Sequence, residues 1–134
     1  MTGTERVRAV TAWRDAGETD YRSAQTLYAS GDFRGTVNRA YYCAYRMCAS
    51  VAVAHRDETQ FPSSWNNPSH DQLPELIRNN GDLSVAVREQ VIRGLRILRK
   101  EREVADYKPW RSVEKNTALI ALSLASGVAT LLKE

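Results

Sequence analysis

Arg102, Asp106 and Tyr107 stand together in the segment Leu98-x-x-x-Arg102-x-x-Ala-Asp-Tyr107, which brings a guanidinium, a carboxylate and a phenol into little more than one helical turn. At 100° per residue, Arg102 falls within about 40° of Val91, Leu95 and Leu98, the apolar stripe that begins at Val87. Asp106 falls about 20° from Leu95 by the same rotation. Charged side chains thus occupy the inward side of a core-facing helix, where burying them unpaired costs several kcal/mol. Asp106 also sits at a helix C-terminus, where the dipole disfavours negative charge. Two arrangements answer that cost. One is an i,i+4 Arg102–Asp106 ion pair that seals the end of a bundle, worth about 0.3–0.5 kcal/mol. The other is a polar recess in which Arg99 and Arg102 face a phosphate with Tyr107 beside it.

The remaining candidates are basic or aromatic. Arg96, Arg99 and Lys100 adjoin Arg102, and Arg39 and Arg46, seven apart, share a flank of an earlier helix. His70 precedes a short helix and is the obvious proton acceptor, although no spacing brings it near Arg102; a histidine there ordinarily hydrogen-bonds backbone. His55 lies near a helix end, where the dipole favours it, and carries no assigned role. Tyr41, Tyr42 and Tyr45 have core or interface spacing. Trp65 and Trp110 fall in loops, as candidates for an exposed contact surface.

Composition sets the bounds. The chain has 134 residues, enough for one domain over 1–134, with a formal charge of +3 and 15 arginines among 19 basic residues. Mild basicity permits a polyanionic partner without requiring one, and the arginine excess also fits a GC-rich genome. Cys43 and Cys48, five apart on a helix, point to different faces, so neither a disulfide nor a zinc set is expected, and no metal or cofactor is called for. The N-terminus lacks an apolar signal core. The uncharged run Ala118 to Leu132 has 15 residues, short of the 18 or so that span a bilayer, which gives a cytoplasmic expectation.

Five helices must position these groups. Spacing predicts the first over about Thr4 to Ala29, closed by Ser30-Gly31-Asp32, and the second, central helix over about Phe33 to His55. Arg56 to Ser69 reads as a loop. Ser69-x-x-Gln72 resembles a capping box, but Pro74 makes Asp71 the preferred cap of a short third helix ending near Asn80-Gly81. Asp82 or Ser84 starts a fourth helix reaching about Ala105. Ser112 with Glu114 starts a fifth that reaches Leu132 and is apolar nearly all round, hence central or covered by a partner. The fold class is all-α, an antiparallel up-and-down bundle of four to five helices.

Three segments in this order resemble the HEPN domains: Arg39-Ala-Tyr-Tyr-Cys-Ala-Tyr45, Ser69-His70, and Leu98-x-x-x-Arg102-x-x-Ala-Asp-Tyr107. The resemblance spans roughly Tyr21 to Leu132. It implies a helical bundle, often a homodimer, and a nucleic-acid- or nucleotide-binding protein. It further implies a metal-independent ribonuclease toxin, or a degenerate relative, paired with a minimal nucleotidyltransferase antitoxin in a defence or regulatory setting. Arg102 matches the arginine of the family's R-x4-H motif, whereas Tyr107 stands at the histidine. A phenol with a pKa near 10 is a poor general base at neutral pH. The expected catalytic set is therefore Arg102, Asp106 and Tyr107, with Arg39, Arg96, Arg99, Lys100 and His70 binding nucleic acid and Tyr107 a potential acceptor of a nucleotide. A non-catalytic interaction module, docking a partner or a second copy, is the alternative.

Overall fold

The computed structural model describes residues 3–55 and 68–133. Among them are five helices and no strand: α1 (Gly3–Ala29), α2 (Phe33–His55), α3 (Gln72–Arg78), α4 (Val85–Tyr107) and α5 (Lys115–Lys133). Most of the expected loop, with Trp65, lies outside the described residues. The architecture is the expected antiparallel up-and-down bundle. α2 packs against each of the other four helices and carries Val37, Tyr41, Ala44, Cys48 and Ala52 in the core. The sequence expectation that α2 is central holds.

Turn chemistry sets the hairpins. Gly31 takes φ +85°, a left-handed conformation that side chains with a Cβ avoid, and so stops α1. Asp32 then caps α2, its carboxylate accepting from the Gly35 N–H at 2.8 Å. Gly17 on α1 allows close approach, because a Cβ there would lie 3.2 Å from the Cys43 carbonyl oxygen and from Met47. Cys43 and Cys48 are buried and free, and burial pushes the Cys43 thiol up to about 12.

Two expectations about α3 are corrected. The Ser69–Gln72 capping box forms: the Gln72 N–H donates to Ser69 Oγ at 3.0 Å and the Ser69 N–H to Gln72 Oε1 at 3.1 Å. Pro74 does not oppose it, since it occupies the first turn of α3, where its missing N–H would have no helical partner. Asp71 makes no capping bond; its carboxylate meets Arg99 instead. α3 ends at Arg78, near Asn80-Gly81 as expected, and of the two expected caps of α4 it is Ser84 that serves.

α4 continues past Ala105 to Tyr107 because Arg34 holds its end. Arg34 donates to the carbonyls of Ala105 at 2.9 Å, Pro109 at 3.2 Å and Arg111, satisfying helix-end acceptors that would otherwise need water. Arg34→Ala should therefore cost about 1–3 kcal/mol, read as a lowered denaturation midpoint at an unchanged m-value. An unchanged midpoint would show that the fan of bonds contributes nothing.

α5 packs on one side of the bundle and is not its central helix. Ala118, Ala121, Leu122, Ala125, Val128 and Leu132 face the bundle, while Leu119 and Ile120 are about half exposed. Its 19 residues are long and apolar enough to cross a membrane by length and composition alone, beyond the 15-residue run counted in the sequence. The buried face shows how a core helix meets the same measure.

Candidate functional site

The tyrosines of α2 build the site. Tyr41 and Tyr45 lie one turn apart on its inward side, and their hydroxyls reach toward the chain that enters α3. The Tyr45 hydroxyl donates to the Pro68 carbonyl, and the Tyr41 hydroxyl pairs with His70 Nδ1. The His70 ring stacks on Tyr41 at 5.5 Å and 22° and lies 4.9 Å from Tyr45. The segment before α3 is thus pinned to α2 by its own aromatic residues, which fixes where His70 sits.

Arg102 approaches the same rings from α4. Its guanidinium carbon lies 5.2 Å from the Tyr41 ring centre and 5.6 Å from those of Tyr42 and Tyr107. Cation–π attraction of this kind is worth about 0.5–2 kcal/mol per contact, more as water is excluded. Arg102 is 9% exposed, as the rotation argument required. Its Nη1 meets Asp106 Oδ2 at 3.3 Å, and Asp106 also accepts from Asn38 Nδ2 at 2.9 Å. The i,i+4 pair foreseen in the sequence exists. Burial opposes the Arg102 charge, but hydrogen bonding to Tyr107 and the negative potential of Tyr42, Tyr107 and Asp106 favour it, and its pKa is raised. Arg102 Nε is buried without a hydrogen-bond partner among the described residues.

His70 therefore shares Tyr41 and Tyr42 with Arg102, a juxtaposition the sequence did not reveal. The structure also corrects the expected backbone bond of His70, since its recorded partner is the Tyr41 hydroxyl. Desolvation first, then the charges of Arg102 and Arg99, lower its pKa below the ordinary 6.5. Burial pushes the Tyr41 phenol far above its usual range, so it keeps its proton at neutral pH. With that hydroxyl as donor, Nδ1 accepts and the neutral imidazole carries its proton on Nε2; with Nδ1–H as donor, the phenol oxygen accepts and Nε2 is left unprotonated. The first tautomer offers a hydrogen-bond donor at Nε2, the second an acceptor.

The depressed pKa has a consequence for stability. The folded state binds the His70 proton less readily than the unfolded chain, so the contribution is fully present above about pH 6.5 and is lost as pH falls from there through the lower pKa of the folded state. The melting temperature should fall between pH 7 and pH 5, and His70→Asn should lose less over the same interval. Parallel pH profiles for the two proteins would refute this.

Around Tyr42 a second charge group forms. Arg39 and Arg46 lie 5.1 and 5.8 Å from its ring centre, and both bind Asp20 of α1, at 3.2 and 2.7 Å. Their shared flank was read from the spacing; Asp20 was not, although it is 3% exposed. The rotation that singled out Arg102 also places Asp20 on the inward side of α1, about 40° from Ala24, so the signal was there.

Arg99 pairs with Asp71 at 2.7 Å and with Glu103 at 3.5 Å. His70, Asp71, Arg96 and Arg99 line one cleft of about 200 Å³. Lys100 is exposed on the outer side of α4. Tyr107 is 64% exposed beyond its contact with Arg102, and Trp110 is 76% exposed, as its loop position suggested. Tyr41 and Tyr45 are core residues, with Tyr42 at the rim. No cluster of metal-ligating side chains occurs among the described residues.

No curated protein and no solved structure matches the chain significantly. A family model described as HEPN domain matches residues 10–134. With that match over most of the chain and a five-helix antiparallel bundle, the chain belongs to the HEPN domain family.

Proposed function

We propose that this HEPN protein binds RNA, or a nucleotide, through its phosphates, in the cleft where His70 meets Arg96 and Arg99, with Arg102 held behind by the tyrosines. One arrangement carries the reading: a neutral imidazole from the segment before α3 and two guanidiniums from α4 line a single recess. Those groups offer several N–H donors, and Arg99 is shared only with exposed carboxylates that a phosphate can displace. Binding is favoured over cleavage because attack by a ribose 2′-hydroxyl needs a proton acceptor. In this reading Tyr41 is the donor to Nδ1, which leaves the His70 proton on Nε2, and Tyr107 fills the position where the family motif has histidine.

The test is fluorescence anisotropy with a labelled RNA oligonucleotide, followed by a gel of the same RNA. Wild type should bind, with affinity falling as salt rises, and Arg99→Ala should bind roughly tenfold more weakly. RNA recovered intact completes the expected result. Absence of binding by wild type would end the proposal, and cleavage abolished by His70→Ala would replace it with a ribonuclease.

The partners follow as part of this reading. Exposed Leu119 and Ile120 favour a homodimer, and the exposed phenol of Tyr107 favours modification by a nucleotidyltransferase partner, as in a toxin–antitoxin pair. Intact-mass analysis after co-expression with such an enzyme should show one added nucleotide, lost in Tyr107→Phe. An unchanged mass would remove that partner.

A further inference from the structure

Carboxylates partner nearly every arginine around the tyrosines, whereas one stretch of α4 leaves its arginines unpaired. Arg39 and Arg46 share Asp20, Arg99 has Asp71 and Glu103, and Arg102 has Asp106. Among the described residues no carboxylate lies within ion-pair distance of Arg88, Arg93 or Arg96. All three border one cleft of about 570 Å³ between the α3 end and α4, together with Arg78. Arg88 donates to the Arg78 carbonyl at 2.8 Å, and its Nε is buried without a partner among the described residues. Among the described residues that line it, Glu89 is the one acidic side chain.

The floor of this cleft is apolar. Ile92 lies at its base, and Val85 and Ile97 remain 61% and 40% exposed along it. Arg96 also lines the smaller cleft that holds His70 and Arg99, so the two recesses meet at that side chain. Arg93, Arg96 and Arg99 follow at intervals of three residues, a rise of about 4.5 Å each along the helix. Each step also turns by about 60° around the helix, so Arg93 borders the larger cleft, Arg99 the smaller one, and Arg96 both.

We infer that the 570 Å³ cleft is a second binding site that carries a single-stranded RNA segment along α4 toward His70, with Arg88, Arg93 and Arg96 on its phosphates and Ile92 and Ile97 beneath its sugars and bases. This rests on the binding function proposed above and adds the path and length of the ligand. An acidic peptide would satisfy the arginines but leave the apolar floor without a flat partner, so a nucleotide strand fits the whole surface better. Unpaired guanidiniums at a rim confer affinity by displacing counterions, a signature that can be counted.

The experiment measures anisotropy of a labelled 12-nucleotide RNA and of a two-nucleotide RNA, across a salt series, for wild type and Arg88→Gln/Arg93→Gln, two positions that line the larger cleft and not the one holding His70. Arg93 is exposed and Arg88 half-buried, and a circular-dichroism melt confirms that the double variant folds. The inference predicts that the variant loses about tenfold or more in affinity for the longer RNA and much less for the shorter one. It also predicts a salt slope flatter by about 1.4, at about 0.7 per lost contact on a single strand. Wild type binding both RNAs and the variant matching it on the longer one would overturn the path while leaving the His70 cleft standing. Failure of wild type to bind either RNA would remove both proposals. An oligoglutamate of equal charge that binds as tightly as the 12-nucleotide RNA would overturn the assignment to a nucleotide strand.

Discussion

Replacing Arg102 by alanine is expected to destabilise the fold by about 3 kcal/mol, the scale seen when one partner of a mostly buried charge pair is removed. Three losses combine. Asp106, whose side chain is 25% exposed, loses its cation and keeps only Asn38. Tyr41, Tyr42 and Tyr107 lose the guanidinium that lies over their rings. The space of a long side chain empties at the end of the α4 stripe, and the neighbours cannot wholly collapse into it. Partial exposure of Asp106 to water keeps the figure at the lower end of the range. For a chain of this size the melting temperature should fall by roughly 10 °C. Arg102→Lys should recover part of that loss, because it keeps the charge but not the planar fork. Arg102→Ala at wild-type stability would show that the cluster holds nothing together.

Asp20→Ala is the second large effect, and it separates stability from binding. The carboxylate is buried between two α1–α2 ion pairs, and its removal should cost about 2 kcal/mol. Arg39 and Arg46 are about one-third exposed, so they can turn to solvent when Asp20 is gone, which limits the penalty. The same change adds two unpaired guanidiniums beside Tyr42. Affinity for RNA at low salt should therefore rise a few-fold even as the melting temperature falls, with a steeper salt dependence. A drop in both quantities would place Arg39 and Arg46 outside the RNA-binding surface.

Much of the scaffold was legible because the controlling interactions are local. Gly31 and Asp32 closed one hairpin, and the apolar period of α2 announced a helix buried on several sides. Arg102 was found because a charge on a core stripe demands an explanation, and the Asp106 partner lay one turn away. What escaped was set by chain segments meeting from far apart. Nothing in the spacing relates His70 to Tyr41, or Arg34 to the carbonyls from Ala105 onward, since those contacts depend on how the segment before α3 and the end of α4 come to lie on α2. Asp20 is different: it satisfied the same rotation test as Arg102 and was passed over on α1. The capping box before α3 was visible in Ser69 and Gln72, and Pro74 was weighed wrongly, as an interior proline when it is a first-turn one.

The two histidines make the central claim accessible to a direct measurement: long-range ¹H–¹⁵N NMR of the His70 imidazole, assigned with a His55→Gln variant, during titration with an RNA dinucleotide. Before addition, Nδ1 should show the shift of an unprotonated acceptor and Nε2 that of a protonated nitrogen. Saturation should then move Nε2 and raise the His70 pKa, as a phosphate settles against the donor. Imidazole signals that stay fixed while the RNA demonstrably binds would put the ligand elsewhere and contradict the proposed site.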